Sequence, residues 1–225
     1  MFERPEDEAL YGDIDERRQS WFRRLRHAHI GLVGGGLECL AAGVVLENED
    51  VSTLILTEHS HPAHRMLDET GPVPIFSPAV QRLEEWGYPV EENPPIWPDR
   101  TNLYSFLIHS YVQAGGLVLR TISFEKSKVD DEEIDLTVSL NDRRETFSFD
   151  DVILGVEEYG IEESDIDTSD PLEYEVLGTR RRSDGAVQAG PVVLPDRLAE
   201  MALPLESAHV LSGRKAAEIV LSERD

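Results

Sequence analysis

Cysteine and lysine are almost missing from this sequence. One cysteine, Cys39, occurs in 225 residues, so no internal disulfide can form and nothing points to an oxidising compartment. Lysine occurs only at Lys126, Lys128 and Lys215. No apolar run reaches the roughly 18 residues that a membrane span requires. The N-terminal stretch MFERPEDEALYGDIDERR is too acidic and polar for a secretory signal. These absences make the cytoplasm the default location and leave no membrane role.

Acidic residues are abundant instead. The chain carries 45 Asp and Glu against 21 Lys and Arg, a formal charge of −24. Such a chain repels nucleic acid and anionic membrane, so neither is expected as a partner. The acids are spread along the chain and do not form one block, which favours a whole-surface adaptation over a dedicated acidic interaction face. Self-repulsion of that kind is screened at molar salt, where the Debye length falls to about 3 Å. An acidic, lysine-poor surface looks like that of a halophile's cytoplasmic protein.

The pattern of elements reads as α/β. Residues 1–13 are polar and expected to be loose, and 15–27 place Trp21, Phe22 and Leu25 on one side of a helix. A strand at 28–33, a helix at 36–48 and a second strand at 51–58 make a βαβ unit of about 30 residues, which implies parallel strands and a right-handed crossover. A short helix is expected at 77–88 and a longer one at 100–114, the second ended by Gly115-Gly116. The runs 117–129, 133–142 and 144–156 alternate like strands. Residues 157–190 are acidic, then polar, and read as a mobile loop, and the chain closes with a helix from Ser212. The expected fold is a single dinucleotide-binding domain over 1–225: a Rossmann-like parallel central sheet flanked by helices, with a small antiparallel β section.

The chemistry concentrates in HIGLVGGGLECLAAG, residues 29–43. In a dinucleotide loop the first glycine makes the tight strand-to-helix turn and the second lets the backbone approach the pyrophosphate. The amides of the helix N-terminus then hold the anion. Gly34, Gly35 and Gly36 stand where those tasks are done. The third glycine of the usual pattern, which lets helix and strand pack closely, is replaced by Cys39. Glu58 ends the second strand, 22 residues beyond Gly36, where an acid accepts hydrogen bonds from the adenosine ribose. A nucleotide-binding loop and a purely structural βαβ turn both fit this pattern.

Beyond these features, the chain resembles the thiamine thiazole synthase family, within the larger flavin- and NAD-binding group. The resemblance rests on HIGLVGGGLECLAAGVVL, TLILTEHS, FSPAVQRLEEWGYPVEE and LESAHVLSGRKAAEIVL. In the last of these, Leu211, Ser212, Gly213, Lys215, Ala216, Ala217 and Glu218 match the family's closing segment. The resemblance implies a protein that builds an adenylated thiazole from NAD and glycine, with sulfur drawn from a protein cysteine or, in archaeal-type members, from sulfide with iron. It implies an NAD or ADP-ribose-type nucleotide, with FAD the alternative. Gly34, Gly36 and Glu58 would hold the adenosine diphosphate part, and Gly213 would approach the far end of the cofactor.

The reaction centre departs from that family. Met201 stands where an arginine should grip the glycine carboxylate, and Gly155-Val156-Glu157 replaces Ala-Thr-Gly. The histidine and acid expected next are absent, only Pro204 survives of a longer run, and Cys39 lies too early to be the sulfur donor. Iron is therefore not expected. His59, His61 and His64 could ligate a metal, but loop histidines are more often solvated. Arg180, Arg181 and Arg182 could clamp a phosphate or carboxylate or simply balance local acids. Trp97 reads as a loop anchor.

The expectation is a thiazole synthase-like nucleotide-binding protein with an eroded reaction centre. The alternatives are a non-catalytic paralogue or regulatory partner of an active synthase, and a flavin- or NAD-dependent oxidoreductase remnant. Assembly of like copies stays open. The charge balance makes its own prediction: the melting temperature should rise from dilute buffer to molar KCl. An equal or lower value in high salt would contradict the halophile reading.

Overall fold

The computed structural model describes residues 24–62, 71–90, 94–129, 133–140, 143–155, 179–182, 185–190 and 205–224. The expected loose segment 1–13 and the helix residues Trp21 and Phe22 lie outside them. Of that first helix, residues 24–26 are described as helical, and Leu25 is buried in the core.

The predicted βαβ unit forms. Strand β1 (Ile30–Val33) leads into helix α1 (Leu37–Asn48) and then strand β2 (Thr53–Thr57). β1 and β2 are parallel neighbours, with Ile30 opposite Thr53 and Val33 opposite Leu56. Helix α2 (Ser77–Glu85) and helix α3 (Arg100–Ala114) follow. α3 spans the predicted residues because its ends are set locally. Asp99 accepts a hydrogen bond from the Thr101 amide at 2.9 Å, and Gly115 ends the helix at φ 123°, a conformation that a side chain disfavours.

Two of the alternating runs each divide between two sheets. Residues 117–129 become β3 (Leu117–Arg120) and β4 (Ser123–Val129), broken at Thr121 with φ 58°. Residues 144–156 become β6 (Arg143–Phe149) and β7 (Asp151–Gly155), with β5 (Ile134–Leu140) ahead of them. Alternation is the same in either sheet, so it gives no warning of such a break. In the segment expected to be a loop, β8 (Arg180–Arg181) and β9 (Val187–Ala189) form. β9 is a strand because Val187 and Ala189 bury fully against the helices while its backbone pairs in parallel with β7. The closing helix α4 (Leu205–Ser222) begins seven residues before Ser212, where it was expected.

The result is a six-stranded sheet in the order β3-β2-β1-β7-β9-β8 and a separate antiparallel sheet, β4-β5-β6. This is the expected Rossmann-like fold with its small antiparallel section. Helices cover one face of the large sheet, where Ile30, Leu32, Ile55 and Ile153 meet α1, α3 and α4. The other face, with Val33, Leu54, Leu56 and Val152, packs on the antiparallel sheet. Gly31 makes room there: a Cβ would lie 2.9 Å from the Phe149 ring.

One buried tyrosine ties α3 to the sheet. The Tyr111 hydroxyl lies 2.9 Å from the Thr53 hydroxyl and donates to the Leu117 carbonyl at 2.9 Å. Burial pushes its pKa up, which keeps it a neutral donor. Glu47 accepts from the Thr53 amide and hydroxyl at 2.6 and 2.7 Å, and burial raises its pKa against the pull of those two bonds. Among the described residues no helix is long and apolar enough to cross a membrane.

Candidate functional site

The strand order fixes where a ligand belongs. From β1 the chain builds outward through β2 to β3, then returns to place β7 on the opposite side of β1. The crevice outside the carboxyl ends of β1 and β7 is thus the topological switch point, the place where open α/β sheets bind ligands. Val33 ends β1 there and Gly155 ends β7.

The glycine loop lies at that edge. Gly34 turns the chain at φ 120°, and its amide donates to the Leu56 carbonyl at 2.8 Å. Gly35 and Gly36 are buried, and Gly36 caps α1. Cys39 is accommodated by missing side chains nearby. Its Sγ would be 3.3 Å from a Cβ at Gly34 and 2.9 Å from one at Gly155, and it donates to the Val33 carbonyl at 3.4 Å. The thiol is a fully buried packing group.

Glu38, a residue the sequence reading passed over, dominates the crevice. It stands in the first turn of α1 and is 0% exposed. Its carboxylate folds back over the loop: a Cβ at Gly36 would collide with both Oε atoms, and one at Gly155 would lie 2.6 Å from Oε1. The absent side chain of the second loop glycine is what normally lets a pyrophosphate approach. Here that face is covered by a carboxylate of the chain itself.

Across the crevice, His209 of α4 places Nδ1 2.8 Å from Glu38 Oε2. Among the described residues neither Glu38 oxygen accepts a well-aligned hydrogen bond. A bare buried carboxylate is very costly, and His209 stands against this one. The N-terminus of α1 adds a favourable dipole for the negative end.

The other expected site residues fall in different places. Glu58 is exposed just beyond β2, at the same sheet edge, and its Oε1 accepts from the Phe124 amide at 3.3 Å. Gly213 sits inside α4, where a Cβ would collide with the Glu38 backbone carbonyl, so it marks the close approach of α4 to α1. Its neighbour Ser212 accepts from the Gly190 amide at 2.7 Å and pairs with the Thr179 hydroxyl. The closing segment that carries the resemblance therefore clasps α4 to α1 and to the residues flanking β8 and β9.

His59 and His61 lie beyond β2, with His61 Nδ1 against the Pro62 carbonyl, and His64 lies outside the described residues. The described residues contain no group of three potential metal ligands. Arg181 is held at the far edge of the sheet by both Asp151 oxygens, at 2.9 and 2.6 Å, and by Glu223. The Arg180 side chain, Val156, Glu157, Met201 and Pro204 lie outside the description. Trp97, expected to anchor its loop, is 58% exposed. Ile96 does the anchoring through paired backbone bonds of 2.9 and 3.0 Å to Ile75.

Solved structures share this arrangement. THI4 from Thermovibrio ammonificans, a thiazole synthase, superposes with a TM-score of 0.73 over 99% of both chains at 15% identity. A flavoprotein/dehydrogenase from Cytophaga hutchinsonii superposes with a TM-score of 0.61 over 88% of this chain and 78% of its own, at 11% identity. No family model and no curated protein matches the sequence. The likeness is therefore one of fold: a dinucleotide-binding fold, shared over its full length with a thiazole synthase.

The packing of Glu38 against Gly155 can be tested by a double-mutant cycle. Gly155→Ala should cost about 1–3 kcal/mol through overpacking. In a Glu38→Ala background the cost should fall by at least about 0.5 kcal/mol, because the two positions share one space. Strictly additive losses in denaturant melts would place the carboxylate elsewhere.

Proposed function

We propose that this chain is a non-catalytic protein of the thiazole synthase fold, a paralogue or regulatory partner of an active synthase. It keeps the frame of an adenine-dinucleotide site without performing the reaction. One observation carries this reading: the Glu38 carboxylate covers the face of Gly36 on which a pyrophosphate would lie. NAD, ADP-ribose and FAD share that pyrophosphate, so Glu38 opposes all three, and the residues as they stand do not fit such a group. The sequence supports the same reading at the reaction centre, where Met201 and Gly155-Val156-Glu157 replace the residues that the family resemblance calls for.

A second reading, a protein that binds an adenine dinucleotide weakly, is favoured by the intact turn at Gly34 and by Glu58 at the same sheet edge. A flavin-dependent remnant would leave the purified protein yellow.

The deciding experiment is a turnover assay. Pure protein is incubated anaerobically with NAD, glycine, sulfide and Fe(II) in molar KCl, and adenylated thiazole is sought by mass spectrometry. No product above a protein-free control is expected. Multiple turnovers would overturn the non-catalytic reading.

A further inference from the structure

We propose that Glu38 is the specificity-determining residue of the switch-point crevice: an anion built into the chain that holds the pyrophosphate's place and excludes it. The inference rests on the reading above and identifies the single residue responsible for it.

Four observations converge. The carboxylate is fully buried, so it is not a surface charge that a ligand could leave in solvent. It lies on the Cβ side of Gly36 and of Gly155 together, in the gap between the ends of β1 and β7. It stands in the first turn of α1, near the end of the helix whose dipole favours negative charge. Finally, its counter-group comes from the protein, as His209 Nδ1 at 2.8 Å. A phosphate entering this place would meet space already filled by the carboxylate.

The remainder of the loop still has the form of a nucleotide cradle. Gly34 makes its turn, Gly36 presents bare backbone, and Gly155 adds room from the facing strand. Cys39 is absorbed by packing against Gly34 and Gly155, so the missing third glycine is not what closes the site. Removing the Glu38 side chain opens the cradle.

The test is titration calorimetry with ADP-ribose and with NAD in molar KCl, on wild type and on Glu38→Ala, each confirmed folded by its thermal melt. Glu38→Ser, which keeps a small polar group beside His209, is the second variant should Glu38→Ala fail to fold. Glu84→Ala, on the exposed face of α2, removes one negative charge away from the crevice and serves as control. The Glu38 variants should gain at least about tenfold in affinity over wild type for both nucleotides, and Glu84→Ala should gain nothing. Equal affinities in wild type and Glu38 variants would overturn the proposal. So would folded Glu38 variants that bind neither nucleotide, or a matching gain in Glu84→Ala. Equal affinities without thiazole formation would remove the role of Glu38 alone, whereas turnover by the wild type would remove the non-catalytic reading.

Discussion

A single buried carboxylate governs how the parts of this molecule meet. Glu38 touches the space of three glycines: its Oε atoms face Gly36 and Gly155, and its backbone carbonyl faces Gly213. Those glycines belong to the loop before α1, to the end of β7 and to the middle of α4. A side chain at any of them would force the others apart. The carboxylate is tolerable in the interior because His209 stands 2.8 Å away on α4. The pairing thus sets both the electrostatics of the crevice and the seating of the closing helix.

The same helix shows what its matching residues do within the fold. Leu211-Ser212-Gly213 carries the resemblance to thiazole synthases, and its described contacts hold elements together. Leu211 is buried in the core, Ser212 holds the Gly190 amide and the Thr179 hydroxyl, and Gly213 permits close contact with α1. Ion pairs outside the crevice follow the same theme. Arg100 reaches Glu206 at 2.7 Å, joining α3 to α4, and Arg181 joins β8 to Asp151 and Glu223. Arginine does this work in a chain with three lysines, and its planar fork suits bidentate pairing with carboxylates.

Local signals in the sequence were sufficient for some elements and silent on others. The βαβ unit was legible from apolar strands on either side of a glycine turn, and α3 from its Asp99 cap and Gly115 stop. Breaks within an alternating run were not legible, because β3 and β4, or β6 and β7, differ only in which sheet they join. β9 was hidden by its brevity and by the acidic stretch ahead of it. At the site, Gly34–Gly36 and Glu58 could be placed at one sheet edge from spacing alone. Glu38 could not, since a charged residue in LECLAAG is unusual but its direction depends on Gly155 and His209, far along the chain. A carboxylate within an otherwise apolar buried helix was the available clue.

The most direct measurement of the central claim is a crystal structure of the wild-type protein soaked with ADP-ribose. The account predicts the Glu38 carboxylate over Gly36, at the 2.8 Å separation from His209 Nδ1 seen here, with no pyrophosphate on the Gly34–Gly36 loop. A pyrophosphate seated on that loop, with Glu38 turned away from His209, would contradict it.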